Sequence, residues 1–415
     1  MRPAGRVESS TPRPRLRTGP ARAALAVVAA GVLAACSSQA AGGGGSGTAQ
    51  GVTADTITIG TTLPLSGGAA AAGQGFQAGL RTAVQEVNAA GGINGRKLEL
   101  TVLDDGFVAA RSVANIRRLG DQEQVFSVLS PAGTANLPGS YPYLERTGLP
   151  MFAPVLPPDP KLDEVYLIGT SQRDQARVMV DFLADQGART VAVIGQDNDL
   201  GQAMREGTTE QAQRRGLRVV ASETTEPNST EVSSAVLNAR EAKPDAIILG
   251  TDNTQSSLIM QEVADLGWQP MIIGSSSTVT TGSPNTVGPA GPTARGVYGT
   301  LIFELPSSDP PEVAEWRQAA QQSAPNSLDN GFALQAYGSS QVFFEILRRM
   351  GDDLTWQNFH RTAESLQGYE SGIFPPISFG DAASGGHVGT RGAKVAQWTG
   401  TEWKLATPDW ISPGS

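Results

Sequence analysis

Cysteine is almost missing from this chain of 415 residues: there is one, Cys36. No intramolecular disulfide can form, so stability must come from packed cores. Histidine is nearly as scarce, with His360 in a polar helical stretch and His387 in the glycine-rich loop Ser384 to Gly389, both expected at the surface. No G-x-S-x-G, H-E-x-x-H or C-x-x-C string occurs, which leaves nucleophilic and metal-dependent catalysis without equipment. The expectation is a protein that is not an enzyme, with no cofactor and no catalytic residue. Positive charge is also short, at 31 Lys and Arg against 40 Asp and Glu. Six Arg and one Glu fall in the first 35 residues, so the remainder carries about −14, and nucleic acid is excluded as a partner. Long apolar runs are missing too, since the run Ala23 to Leu33 falls short of the roughly 20 residues of a membrane-spanning helix.

The amino-terminal 35 residues have the layout of an export signal: Arg2, Arg6, Arg13, Arg15, Arg17 and Arg22, then the apolar run, then small residues. Leu33-Ala34-Ala35-Cys36 follows. That string resembles the lipobox of bacterial lipoproteins, which implies lipidation of Cys36 and cleavage before it. Residues 36–53 are glycine-rich, a composition that buries too little apolar area to order itself and so serves as a tether.

From Thr56 onward, short β-rich runs alternate with helical patterns, the signature of βαβ units and a parallel sheet. Thr56 to Gly60, Lys97 to Leu103, Val125 to Leu129 and Leu149 to Ala153 read as strands. Phe76, Leu80, Val84 and Val87 mark one face of a helix, and Asn94-Gly95 supplies a tight turn. A second series opens at Ser171-Gln172-Arg173-Asp174, a capping box. Its strands are Val191 to Gly195, Arg218 to Ser222, Ala246 to Gly250 and Met271 to Gly274. An extended run follows from Gly296 to Phe303, and Lys394 to Trp398 with Trp403 to Leu405 reads as a hairpin about Thr399-Gly400.

Four strings, in order, carry a family likeness: Ile59-Gly60-Thr61-Thr62-Leu63-Pro64-Leu65-Ser66-Gly67, Asn88 to Lys97, Asp104-Asp105, and Leu129-Ser130-Pro131-Ala132-Gly133-Thr134. They resemble type I periplasmic binding proteins, and within these the leucine/isoleucine/valine-binding group of ABC-transporter receptors. The resemblance implies an α/β fold of two Rossmann-like lobes joined by three hinge crossings, near Gly169-Thr170, Thr300 and Phe374 to Ser378. Residues 54–169 with 300–374 would form the first lobe, and 170–299 with 375–410 the second. A small-molecule ligand would sit between them. Permease subunits of an ABC importer would be the membrane partner of a lipid-anchored monomer on the extracytoplasmic face of the cell membrane, in the periplasm or cell envelope. A ligand-sensing lipoprotein of the same fold and, from another class, a lipoprotein hydrolase are the alternatives.

Ligands of open α/β sheets bind at the carboxyl ends of strands, where loops and helix starts offer free N–H groups. The resulting ligand-binding set is Ser66, Ser130, Pro131, Ala132, Gly133, Thr134, Val155 and Leu156 from the first lobe. Leu200, Thr251, Asp252, Ser275 and Ser276 complete it from the second. Departures from the group's amino-acid site stand out. Pro131 and Ala132 lack side-chain donors, Pro157 replaces a hydroxyl, Leu200 and Asp252 fall where the group has tyrosines, and Ser276 falls where it has the carboxylate for the ligand ammonium. A buried zwitterion without these partners would cost several kcal/mol. The expectation is therefore an amino-acid-like or less polar, aromatic solute, with Asp252, Thr134, Ser275 or Ser276 holding its polar end. The group's disulfide positions fall at Phe107 and Ser130.

Three other features are open to more than one reading. Gly73-Gln74-Gly75-Phe76-Gln77-Ala78 fits a dinucleotide fingerprint in form, but about a dozen residues separate it from the strand, and a glycine-rich helix start accounts for it. Asp104-Asp105 reads either as metal ligands or an acid pair, or as capping carboxylates of a turn. Trp398, Trp403 and Trp410 read either as a carbohydrate platform or as hairpin packing.

Overall fold

The alternation of apolar and polar residues in Thr56–Leu63 puts Ile57, Ile59 and Leu63 on one face, and all three are fully buried. This strand, β1, pairs in parallel with β2 (Lys97–Asp104) and β3 (Ser127–Leu129), and β4 (Met151–Phe152) and β5 (Val165–Tyr166) extend the sheet in the order β2-β1-β3-β4-β5. The two-residue β5 is too short for any periodicity to announce it. The computed structural model describes residues 49–133, 136–155, 162–227, 229–276, 288–381 and 385–414. Cys36, Thr134, Leu156 and Pro157 lie outside them.

Phe76, Leu80, Val84 and Val87 of α1 (Ala70–Ala89) are buried on β1 as their spacing requires. Helices α2 (Ala109–Asp121) and α3 (Tyr141–Thr147) cover the other face, over Val128, Met151 and Val165. Gly73 is needed because a Cβ there would meet the Pro64 carbonyl oxygen at 2.1 Å. That close approach, not a phosphate, accounts for the glycine-rich helix start. In the turn before β2, Asn94 and Gly95 stand at φ of 48° and 80°, as a primed hairpin turn demands.

The second sheet comprises β6 (Thr190–Gln196), β7 (Arg218–Thr225), β8 (Ala246–Gly250), β9 (Met271–Gly274), β10 (Tyr298–Leu301), β11 (Lys394–Trp398) and β12 (Trp403–Leu405). Its order is β12-β11-β10-β9-β8-β6-β7, parallel except at the β10-β11 and β11-β12 pairings. Helices α4 (Gln172–Asp185) and α5 (Asp199–Arg215) pack on one face, and α6 (Ser233–Glu241) and α7 (Asn253–Asp265) on the other. Ser171 caps α4 by accepting from the Asp174 N–H at 3.1 Å. The Asp174 carboxylate answers the Ser171 hydroxyl rather than its N–H.

The chain passes between the sheets three times. It leaves the first after Tyr166, returns after Leu301 to α8 (Pro311–Ser323), α9 (Gly331–Met350) and α10 (Trp356–Glu364), and leaves again for β11. Thr300 lies inside β10, paired with Val395, and Ile377 and Phe379 are buried in the first core. The crossings are tied to one another: the Leu167 N–H donates to the His387 carbonyl at 2.8 Å, and the Glu304 N–H to that of Ile373 at 2.8 Å.

His387 corrects one expectation, being 1% exposed rather than at the surface. Its ring stacks on Tyr166 with 3.9 Å between centroids, and the Tyr166 hydroxyl bonds Nδ1 of His360, 2.8 Å away. At the carboxyl-terminal hairpin, Trp398 is buried in the second core with Trp403 at 5.5 Å, a packing role.

Candidate functional site

The carboxyl ends of the first sheet are unusually strained. Phe107, Ser130 and Ala153, just after β2, β3 and β4, hold φ of 61°, 47° and 50°. Left-handed backbone at a residue with a Cβ costs on the order of 1–3 kcal/mol and gathers where function requires it. Ser130 is 1% exposed, its N–H donates to the Phe152 carbonyl at 2.8 Å, and among the described residues its hydroxyl has no partner. The amide nitrogen of Asn136 and the hydroxyl of Thr61 are likewise buried without a partner. Buried polar groups are nearly always bonded, which makes these three atoms at the strand ends exceptions.

Pro131, Ala132, Gly133 and Val155 do come together around Ser130. Val155 N–H donates to the Pro131 carbonyl at 2.8 Å, Gly133 N–H to that of Val155 at 3.2 Å, and all four are buried. The wall they form is apolar apart from backbone groups. Ser66 stands apart and exposed, held by Asp104: its hydroxyl donates to Oδ2 at 2.6 Å and its N–H to Oδ1 at 3.2 Å. The Ser66 hydroxyl, then the Gly106 N–H, hold the Asp104 carboxyl below the usual carboxylate range. Asp105 is fully buried and accepts from Thr62 Oγ1 at 2.9 Å, Ser112 Oγ at 3.0 Å and the Phe107 N–H at 2.8 Å. The acidic pair therefore organises a turn. Among the described residues, no group of three or more His, Cys, Asp or Glu could hold a metal ion.

In the second lobe Asp252 is the N-cap of α7, accepting from the Gln255 N–H at 2.9 Å while Nε2 of Gln196 donates to its other oxygen at 2.5 Å. Thr251 is buried, its hydroxyl 2.8 Å from that of Ser256. Leu200 is half-buried and packs on the second core. Ser275 and Ser276 are buried, and the Ser276 N–H donates to Oε1 of Gln175 at 2.9 Å.

Gln175 is the organiser that the sequence analysis passed over. The same Oε1 accepts from Thr300 Oγ1 at 2.8 Å, and its Nε2 donates to the Thr170 carbonyl at 2.8 Å. One buried amide thus ties the loop after β9 to β10 and to the first crossing. Gln196 acts similarly, joining Asp252 to the N-cap Asn198. A glutamine carries no motif, and its apolar neighbours Ala176, Val178 and Met179 were the only sign that its helix face is buried.

Comparison with known proteins supplies the family. The leucine/isoleucine/valine-binding protein homolog 7 of Brucella abortus (strain 2308) is 25% identical over 322 residues, covering 71% of this chain and 77% of its own. A possible leucine/isoleucine/valine-binding protein from Rhodopirellula baltica superposes with a TM-score of 0.72 at 20% identity, covering 85% of this chain and 97% of that one. An ABC-transporter solute-binding protein of R. palustris in complex with benzoate gives a TM-score of 0.67 at 16% identity, covering 86% and 98%. Both superpositions show the type I periplasmic binding protein fold. The family described as periplasmic binding protein matches residues 56–402, and the chain belongs to it.

Proposed function

We propose that this chain is the extracytoplasmic substrate-binding receptor of an ABC importer, lipid-anchored through Cys36, and that it binds without transforming its ligand. The observation that carries the reading is the strand-end wall Ser130 to Gly133 with Val155, with strained backbone and unpartnered buried polar atoms. Residues of the second lobe around Asp252, Thr251 and Ser276 supply the opposing polar groups. The ligand is a small organic solute with an apolar body, because an apolar wall without paired charges repels a zwitterion. Relatives are named for a leucine/isoleucine/valine class and one neighbour holds benzoate, and the apolar wall favours the second kind of ligand.

Binding would draw the lobes together and shift the population toward the form that docks on the permease. A thermal-shift screen of amino acids, aromatic acids, amides and polyols tests the reading. A ligand at a hundredfold excess over its Kd stabilises the folded chain by about 2.7 kcal/mol. The expected hits are aromatic or branched aliphatic compounds, with smaller shifts for free amino acids. A screen in which only polyols raise Tm would overturn the ligand class.

A further inference from the structure

The second lobe has a cavity at the other end of its sheet. It measures about 520 Å³ and opens where β9 and β10 begin, beside the last turn of α7. Its lining includes Met260, Val263, Trp268, Gln269, Met271 and Arg295. Asp252 caps the first turn of α7 and Ala264 lies in the last, which sets the cavity about 18 Å along the helix from the strand-end site. The two sites are distinct.

Of the polar side chains lining this cavity, Thr293 Oγ1 donates to the Ala290 carbonyl at 2.6 Å and Gln397 Nε2 to the Gly296 carbonyl at 3.1 Å, while three others keep free donors. Among the described residues, the Arg295 guanidinium meets no carboxylate, and neither the Trp268 indole N–H nor the Gln269 amide is bonded. No Asp or Glu lines the cavity, although acidic residues outnumber basic ones 40 to 31 in the chain. An unpaired guanidinium with flanking N–H donors matches a carboxylate, which accepts two parallel bonds from its fork. Trp268, Pro270 and Met271 are half-buried and line the apolar side of the cavity, which a carboxylate alone would leave uncovered. The volume lies within the range of roughly 300–1,000 Å³ of small-molecule sites.

We infer that this cavity is a second ligand site, for a small amphipathic monocarboxylate: the carboxylate pairs with Arg295 beside Gln269, and the apolar body lies on Trp268, Pro270 and Met271.

The test uses 19F NMR of 4-fluorophenylacetate titrated with the full chain, the Arg295→Gln and Ala264→Trp variants, and Asp252→Asn as a change at the strand-end site. Arg295 and Ala264 are exposed, so both variants should fold, and unchanged thermal unfolding checks this. The expected result is saturable binding that Arg295→Gln weakens by roughly tenfold or more, the scale of a hydrogen bond to a charged group. Ala264→Trp, which closes the mouth, should abolish it, and Asp252→Asn should leave it intact. The neutral 4-fluorophenylacetamide should bind at least about tenfold more weakly than the acid. No saturable binding at millimolar probe overturns the inference, as does equal binding of acid and amide. Binding lost in Asp252→Asn but kept in Arg295→Gln and Ala264→Trp also overturns it, while leaving the receptor reading intact.

Discussion

Lys394 Nζ lies 2.5 Å from Glu304 Oε1, and the two side chains are only 11% and 4% exposed. Glu304 belongs to the second crossing between the lobes, and Lys394 opens β11 at the end of the third. The ammonium also sits 4.8 Å from the Trp410 ring centroid. An ion pair withdrawn from water resists separation, so this one holds two crossings in register.

Removing one partner leaves the other charge buried and alone. Lys394→Met or Glu304→Gln is expected to destabilise the fold by about 3–5 kcal/mol, and the double variant by much less than the sum. Urea unfolding of the four proteins measures this. Additive losses would show that the two charges do not depend on each other.

Ser130 offers a stability change and a binding change of opposite sign. Ser130→Gly relaxes a residue held at φ 47° and is expected to raise stability by about 1 kcal/mol. It also removes the unpartnered hydroxyl, so affinity for the screened ligand should fall. Ser130→Ala keeps the strain and should lose only affinity. Calorimetry and denaturant midpoints separate the two.

Asp252 can be split into its two roles. Asp252→Ala removes the cap of α7 and should cost about 1 kcal/mol, whereas Asp252→Asn keeps the cap and loses the charge together with the bond from Gln196. If the carboxylate holds a polar group of the ligand, Asp252→Asn weakens binding as much as Asp252→Ala does. Unchanged affinity in that variant would confine Asp252 to capping.

Burial, and then the neighbouring His387, push the pKa of His360 below its ordinary 6.5. The folded chain therefore binds its proton less readily than the unfolded chain. The stability this confers is fully present above the unfolded value of 6.5 and is lost as pH falls through the lower folded value. His360→Gln should flatten the stability profile in that window. An unaltered slope below pH 6.5 would assign the acid sensitivity to other groups.

For the anchor, Cys36→Ser is expected to release the protein from the membrane fraction and abolish labelling by a palmitate analogue. Retention in membranes at the wild-type level would remove the lipid assignment.

Much of the fold could be read locally. The stripe Phe76, Leu80, Val84 and Val87, the Asn94-Gly95 turn and the Ser171 cap each depend on residues within a few positions, where periodicity and backbone preference act directly. The strand ends that carry Ser130 to Gly133, Val155, Thr251, Asp252 and Ser276 followed from the same pattern. What stayed illegible lies far apart in the chain. Gln175 meets Ser276 and Thr300 across 101 and 125 positions, and His387 meets Tyr166 only because two crossings run side by side.

By itself, then, the amino-acid order determined two runs of βαβ units, the ends at which loops gather, and an acidic chain with one cysteine after the apolar run Ala23 to Leu33. Short-range sterics and side-chain periodicity suffice for that much. The tertiary structure alone decided that Asp252 caps a helix, that Asp104 and Asp105 brace a turn, and that Arg295 faces a cavity without a carboxylate. Those outcomes depend on which groups meet after the chain has closed on itself, and no local rule of sequence encodes the meeting.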